Sequence, residues 1–369
     1  FAERPLRYYL RYGVDLKERE EFTFSPVNFG VVLHAVIREV CDEIKKNGES
    51  YYLISEEKRR EMVKKSVAAI TDIYQNSILK DSSRNSFMIK RMEDLADRTV
   101  WAMGEQLKCG DFVPFVFEHK FNMEVGDGDR KQLMSGTIDR VDICENGTDV
   151  YVRIIDYKTG KKDFNIVKTY YGIDIQLMVY MEAAMKLVAK MRPGKNVIPA
   201  GVFYYNISDP IVSATTESAE EIEDKIKGEL RLKGMVNSDK DIAEKMDNTE
   251  GTSLNIPVSR KADGGFDSRR SKVMNTEQFN MLGRFVDVRA VDTADRIAGG
   301  DIRRSPYKDG QFSSCDRCPY GAVCGFSVDL PGCNYRKLKK FDDEVLWNNI
   351  KEGVDENGKK MDTGAEERD

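Results

Sequence analysis

Two short stretches decide how this chain is read: Gly136-Thr137-Ile138-Asp139-Arg140-Val141-Asp142 and Ile154-Ile155-Asp156-Tyr157-Lys158-Thr159-Gly160. Between them lies Asn146-Gly147, a strong hairpin signal, so Leu133 to Cys144 and Tyr151 to Tyr157 read as adjacent strands. Asp139 and Asp156 then face each other across the hairpin, where two carboxylates can converge on one hard cation such as Mg²⁺. Asp156 and Lys158 are two apart on a strand, so both side chains point to the same face. A carboxylate that holds a metal beside an ammonium group is what phosphodiester hydrolysis needs. The metal polarises the phosphate and acidifies water, and the lysine orients that water and offsets the developing charge. An isolated Asp-x-Lys reads more simply as a surface salt bridge on a hairpin. Here Ile138 precedes one aspartate and Ile154-Ile155 the other, which puts both at the ends of buried strands.

Outward from this hairpin the pattern is regular. Phe112 to Met123 reads as the strand before it, and Pro199 to Ile207 as a strand after it. Between them a helix is expected at about 172–190, with Leu177, Met181, Ala184, Leu187 and Val188 on one face. Upstream, Leu33, Val36, Ile37, Val40 and Ile44 recur at helical spacing up to Gly48, with His34 beside the stripe. Further helices are expected over 56–79 and 84–108. Helices, three meandering strands, a helix and a strand give an α/β core with a mixed central sheet flanked by helices. The expected organisation is a helical N-terminal part carrying His34 (1–110), a catalytic α/β core (111–208) and a polar, partly mobile insertion (209–275). A helix and cysteine segment then pack back on the core (276–348), and a charged, disordered tail follows (349–369).

Composition constrains the class. The chain has 369 residues, 40% hydrophobic, enough for one large core or two modest ones. Lys+Arg number 58 against Asp+Glu 63, a net charge of −5, so nucleic-acid contact needs a local basic stripe rather than a basic total. No apolar run approaches the roughly 20 residues that span a bilayer. Phe1-Ala2-Glu3-Arg4-Pro5 lacks both a signal-peptide layout and an initiator Met, so the chain reads as a fragment or processed product, and as cytoplasmic. No Gly-x-x-x-x-Gly-Lys-Ser/Thr loop occurs, so the chain carries no recognisable ATP motor.

The ordered set Gly30-x-x-x-His34, Glu118-His119-Lys120-Phe121, Gly136-x-Ile138-Asp139-Arg140-x-Asp142, Ile155-Asp156-Tyr157-Lys158-Thr159-Gly160 and Gln176-x-x-x-Tyr180 resembles the nuclease domain of the RecB/AddB group of PD-(D/E)xK exonucleases. It is most similar to the C-terminal nuclease domain of AddB-type helicase–nuclease subunits. With the cysteine segment, the resemblance covers roughly residues 1–345 apart from 209–275. It implies a restriction-endonuclease-like fold and a Mg²⁺- or Mn²⁺-dependent exonuclease. Single-stranded DNA ends would be its substrate, and a helicase–nuclease subunit active in double-strand break repair and recombination its partner. His34, Asp139 and Asp156 would be metal ligands, with the Tyr157 carbonyl completing the site and Lys158 the catalytic lysine. Glu118 would sit on the strand before the Asp139 strand, and Gln176 and Tyr180, one helical turn apart, would line the site near the scissile phosphate. Arg140 either contacts DNA or pairs with Asp142. A catalytically inactive nuclease-fold module that binds DNA or a partner subunit is the alternative; the complete His-Asp-Asp-Lys set argues against it.

Four of the seven cysteines crowd into Cys315–Cys333. Cys315-x-x-Cys318-x5-Cys324 has a spacing at which thiolates share one metal or cluster, with zinc the generic reading. A zinc-holding structural protein would leave the Asp139, Asp156 and Lys158 pattern unexplained. In the resembling AddB-type proteins this segment carries three ligands of a [4Fe–4S] cluster, and a cysteine immediately before a proline near the start of the domain supplies the fourth. Here that position is Arg4, before Pro5. Either the cluster is absent, or another cysteine such as Cys333 or Cys41 substitutes.

Overall fold

A computed structural model gives the structure of the chain and describes residues 1–17, 26–73, 83–125, 131–213, 217–316 and 318–366. A short helix α1 (Pro5–Tyr8) runs into a π-helical turn (Tyr9–Gly13). Three long helices follow: α2 (Pro26–Lys46), α3 (Glu56–Ile73) and α4 (Ser83–Lys108). The strands β1 (Val113–Val125), β2 (Gln132–Asn146) and β3 (Asp149–Lys158) form the expected meander. Helices α5 (Ile166–Tyr170) and α6 (Gln176–Met191) lead to β4 (Asn196–Asn206). Next come α7 (Ala219–Glu229), β5 (Lys233–Asn237), α8 (Lys240–Met246), β6 (Val273–Met274) and α9 (Thr276–Ala298). The C-terminal part holds β7 (Tyr307–Asp309), β8 (Phe312–Ser313), α10 (Gly321–Cys324), β9 (Arg336–Lys337) and α11 (Asp343–Glu366). No helix among the described residues is long and apolar enough to cross a membrane.

The six strands β1 to β6 lie in chain order in one sheet. The first three pair antiparallel, β3 and β4 are parallel across the α5–α6 crossover, β5 returns antiparallel and β6 pairs parallel to it. The sheet is mixed, as the sequence pattern predicts. It is buried on both faces, because β3 alternates between two cores: Tyr151, Ile155 and Tyr157 join α2, α3 and α4, while Val150, Val152 and Ile154 join α6, α9 and α11. Two-sided burial explains why β3 reads as an almost continuous apolar run.

The β2–β3 turn sets the register of the site. Gly147 has φ +60, a conformation that favours glycine, at the tip of the hairpin in which Asn146 pairs with Asp149. The ladder runs back to the Arg140–Ile155 pair, and one further step places Asp139 opposite Asp156.

Two expectations need correction. Residues 209–275, expected to be a polar, partly mobile insertion, are part of the sheet and its core. They supply β5 and β6 to the sheet, and Leu230, Leu232, Val236, Ile242, Met246, Ile256 and Val258 are buried in the α2–α4 core. Apolar residues are sparse there, but each lands on the packed face. Residues 349–366 belong to α11 rather than to a disordered tail, and Leu346, Ile350 and Val354, recurring every four residues, pack its first turns on the α9 side of the sheet. Gly353 permits this approach, since a Cβ there would lie 2.8 Å from the Phe285 ring. The helix expected over 56–79 is seen to Ile73, and 74–79 fall outside the described residues.

Candidate active site

The site forms where β3 ends, at Lys158, alongside the middle of β1 and β2, with α2 approaching from one face and α6 from the other. Asp139 is thus mid-strand rather than at the strand end expected for it, because β1 and β2 run on together beyond β3. On α2, Leu33, Val36, Ile37, Val40 and Ile44 are buried, and His34 on the flank of that stripe points to Glu118 on β1 and Asp139 on β2. Its Nδ1 lies 3.5 Å from Glu118 Oε1 and 3.5 Å from Asp139 Oδ1. Ligand atoms of His34, Glu118 and Asp139 all fall within 4.8 Å of one another. The Tyr157 ring stands edge-on to the imidazole, centroids 5.8 Å apart, and fixes its plane.

This convergence requires local irregularity. In the β1–β2 ladder Phe117 pairs with Arg140 and His119 with Ile138, which sets Glu118 against Asp139. Glu118 has φ +46, in the left-handed region that a non-glycine residue rarely adopts. Opposite it, Ile138 and Val141 both enter the α6–α9 core, so the alternation of β2 breaks at Asp139-Arg140. Strain of this kind persists where the surrounding structure enforces it, commonly at functional sites.

Asp156 and Lys158 share a face of β3, as their spacing predicts. Lys158 Nζ lies 2.5 Å from Asp156 Oδ2. Gln176, the first residue of α6, ties the group together. Its Nε2 donates to Asp156 Oδ1 (2.9 Å) and to the Tyr180 hydroxyl (3.0 Å), and its Oε1 accepts from Lys158 Nζ (3.3 Å). Tyr180 reaches the site because Gly136 leaves room for it: a Cβ at Gly136 would lie 2.9 Å from the Phe121 ring and 3.2 Å from that of Tyr180. Asp139 Oδ2 accepts a 2.6 Å hydrogen bond from the Tyr157 N–H, which fixes the carboxylate and leaves Oδ1 for His34.

Charge in the site favours a cation. Burial opposes protonation of His34, but its hydrogen bonds and ionic contacts with Asp139 and Glu118 outweigh that and push it up to about 10. The imidazolium here carries the positive charge that the two carboxylates call for. Burial and the Asp139 charge raise Asp156 to about 6 against the pull of Lys158. Although Oδ2 of Asp156 is buried and close to Lys158, it accepts no well-directed hydrogen bond. An imidazole, two or three carboxylates and an oxygen lacking a directed donor form a mixed nitrogen–oxygen donor set, which fits a divalent cation of the magnesium or manganese type.

Seven side chains named from sequence therefore meet: His34, Glu118, Asp139, Asp156, Lys158, Gln176 and Tyr180. Tyr157 meets them through its ring and its N–H. Glu118 is closer to His34 than the expected set of ligands suggests. Of the two readings of Arg140, contact with DNA or pairing with Asp142, the structure shows the pairing. Arg140 is buried at 1% exposure and grips Asp142 in a fork, Nε to Oδ1 and Nη2 to Oδ2 both 2.6 Å, while Arg153 Nε reaches Asp142 Oδ2 at 2.8 Å. Burial alone would raise the Asp142 carboxyl, but the two guanidiniums hold it below its ordinary value.

A second layer of the site went unread in the sequence. Tyr204 on β4 donates to the buried Asp174 (2.8 Å), which also holds Lys162 Nζ at 3.0 Å. The Tyr204 ring lies under both ammonium groups, 5.6 Å from Lys158 Nζ and 4.7 Å from Lys162 Nζ. The only available hint was an acidic residue, Asp174, two positions before Gln176 in an otherwise apolar loop.

The arrangement fits a phosphodiester-cleaving centre, and comparison with known proteins places the chain among nucleases. Residues 1–325 match the PD-(D/E)XK nuclease superfamily, and the chain belongs to it. It is similar to proteins named as one of the subunits of an ATP-dependent helicase/deoxyribonuclease. Identity is 33% to that of a Thermoanaerobacter species, over 98% of this chain and 32% of the relative. It is 34% to that of Caldanaerobacter subterraneus, over 100% and 32%, and 34% to that of Clostridium acetobutylicum, over 97% and 32%. The chain thus spans about a third of the length of these curated relatives.

Proposed function

We propose that the chain is the nuclease module of a helicase–nuclease: a Mg²⁺- or Mn²⁺-dependent deoxyribonuclease that hydrolyses phosphodiester bonds as an exonuclease in double-strand break repair and recombination. A partner subunit would feed it single-stranded DNA ends. The observation that carries this reading is the meeting of His34, Glu118 and Asp139 within 4.8 Å, beside the Asp156–Lys158 pair. The names of the relatives, which pair a helicase with a deoxyribonuclease, support the substrate and the partner.

His34, Asp139 and Asp156 would hold the cation, joined by Glu118 and the Tyr157 carbonyl. When bound, a divalent ion polarises a phosphate oxygen and lowers the pKa of water. Lys158 supplies an ammonium group that is held by Gln176 and the Tyr204 ring, in reach of an incoming phosphate, where it orients water and offsets charge building on the phosphorus oxygens. Gln176 and Tyr180 line the approach from α6. With Lys158 and Asp156 pinned by the same amide, little reorganisation remains for the reaction itself.

The test is cleavage of end-labelled single-stranded and duplex DNA with Mg²⁺ and with EDTA, alongside an Asp156→Ala, Lys158→Ala double variant. Mg²⁺-dependent shortening from the ends by the wild type alone is expected. DNA binding without cleavage by the wild type would instead mark an inactive nuclease-fold module.

A further inference from the structure

The three cysteines Cys315, Cys318 and Cys324 gather around a cavity at the opposite end of the chain's path, against α1. Arg4 lies with them. It is buried, and its Nη1 donates to Cys315 Sγ at 3.5 Å. Its Nε and Nη2 are buried without a hydrogen-bond partner. Among the described residues no other cysteine lines the cavity: Cys41 packs in the α2–α4 core against Met103, and Cys333 is buried outside it.

The resemblance to AddB-type proteins implies a [4Fe–4S] cluster here, and the residues present do not fit one. A guanidinium stays protonated and has no lone pair to give iron. With Arg4 in place the cavity has about 10 Å³ of room, close to what one water needs. A single zinc ion fits no better. Bonds of about 2.3 Å put zinc-bound sulfurs roughly 3.8 Å apart, and among the described residues no three thiols lie within 4.8 Å of one another. Protein contacts fasten the N-terminal segment to α9 and the cysteine segment. Arg336 Nη2 donates to the carbonyls of Ala2 (2.5 Å) and Glu3 (3.3 Å), the Tyr320 hydroxyl donates to the Leu16 carbonyl (2.7 Å), and the Arg296 guanidinium lies 5.0 Å from the centre of the Phe1 ring.

We propose that this chain closes these two segments without a metal, with the Arg4 guanidinium filling the fourth corner of a cluster-shaped thiol pocket, and that Arg4 alone keeps a [4Fe–4S] cluster out. Two unpartnered guanidinium nitrogens in a buried pocket mark Arg4 as a poor tenant of a site shaped for something else. Substituting a thiol at position 4 supplies the missing ligand beside three that already face the cavity. This inference is independent of the nuclease reading, since none of its residues touches the His34–Asp139 site.

The experiment compares the chain with its Arg4→Cys variant, both incubated anaerobically with iron, sulfide and a thiol, desalted, and assayed for iron, acid-labile sulfide and visible sulfur-to-iron absorption. The variant is expected to carry about four irons and four sulfides, and the wild type iron far below one per chain with no such absorption. A full complement in the wild type overturns the proposal, as does a natively folded variant, checked by circular dichroism, that takes up none. If the variant fails to fold, wild-type melting decides: the midpoint is expected to be unchanged by a strong iron chelator, and a fall on chelation overturns the proposal.

Discussion

Glu118 offers a test in which stability and metal binding are expected to move apart. Its φ of +46 puts a side-chain-bearing residue in the left-handed region, which costs about 1–2 kcal/mol. Replacing it by glycine removes that cost but adds about 0.5–1 kcal/mol of lost chain entropy. Replacing it by alanine keeps the strain. Both variants delete the same carboxylate facing His34, so their difference isolates the backbone. Glu118→Gly is therefore expected to be more stable than Glu118→Ala by roughly 0.5–1 kcal/mol, reversing the usual advantage of alanine over glycine inside a strand. Urea unfolding reads this as a shift in midpoint at constant slope. Calorimetric titration with Mn²⁺ reads the other half. Even groups that only orient a ligand cost about 10–100-fold in metal affinity, so both variants should bind at least about tenfold more weakly than the wild type. If alanine matches or exceeds glycine in stability, Glu118 is not held in the left-handed region in solution. If Mn²⁺ affinity is unchanged, Glu118 is not a ligand.

Other outcomes follow from the same contacts. Gln176→Ala releases both Asp156 and Lys158 and should slow DNA cleavage by about 10-fold or more while the melting temperature barely moves; an unchanged rate would show that the amide positions nothing. Asp142→Leu leaves Arg140 and Arg153 buried without their counter-charge, at a cost of about 3–5 kcal/mol in urea unfolding, and a loss below about 1 kcal/mol would mean the triad is not closed in solution. On α9, burial together with the neighbouring Glu182 carboxyl pushes Asp287 up to about 8. Its folded pKa lies above its ordinary value of 3.8, so the stability it contributes is present below about pH 4 and is lost as pH rises through about 8. Asp287→Asn should flatten the pH–stability profile over that window, and a profile identical to wild type would refute the assignment.

Much of this architecture is legible because its signals are local. The hairpin at Asn146-Gly147, the i,i+2 spacing of Asp156 and Lys158 and the i,i+4 spacing of Gln176 and Tyr180 each fix a geometry over a few residues. What escaped depends on partners far along the chain. The core of β5 is only Gly234-Met235-Val236 among charged neighbours, and it becomes a strand because β4 offers an edge to pair with. The last helix hides its stripe of Leu346, Ile350 and Val354 among thirteen charged or amide residues between 343 and 366. No residue type announces a positive φ at a glutamate, so the sequence placed Glu118 near the site without showing how it gets there. The two readings of Arg140 stayed open for a related reason: regular alternation gives no warning that β2 breaks at 139–140.

That break links the stability of the sheet to the geometry of its site. Ile138 and Val141 enter the same core, so the two residues between them are both diverted from it. Asp139 meets His34 and the Tyr157 N–H, while Arg140 is locked to Asp142. Asp142 and Arg153 are direct partners in the β2–β3 ladder, so their ion pair clamps the register three residues along β2 from Asp139. A register slip of one residue would turn every side chain of the strand to the opposite face and separate Asp139 from Asp156. The buried Arg140–Asp142–Arg153 group is costly to desolvate and adds little net stability on its own; its consequence is that one alignment of β2 on β3 is far better than its neighbours. On this reasoning a substitution that removes the charges together, Arg140→Met with Asp142→Leu and Arg153→Met, should keep or even raise the urea midpoint and still lose Mn²⁺ affinity, because the strands could then pair without bringing the two aspartates together.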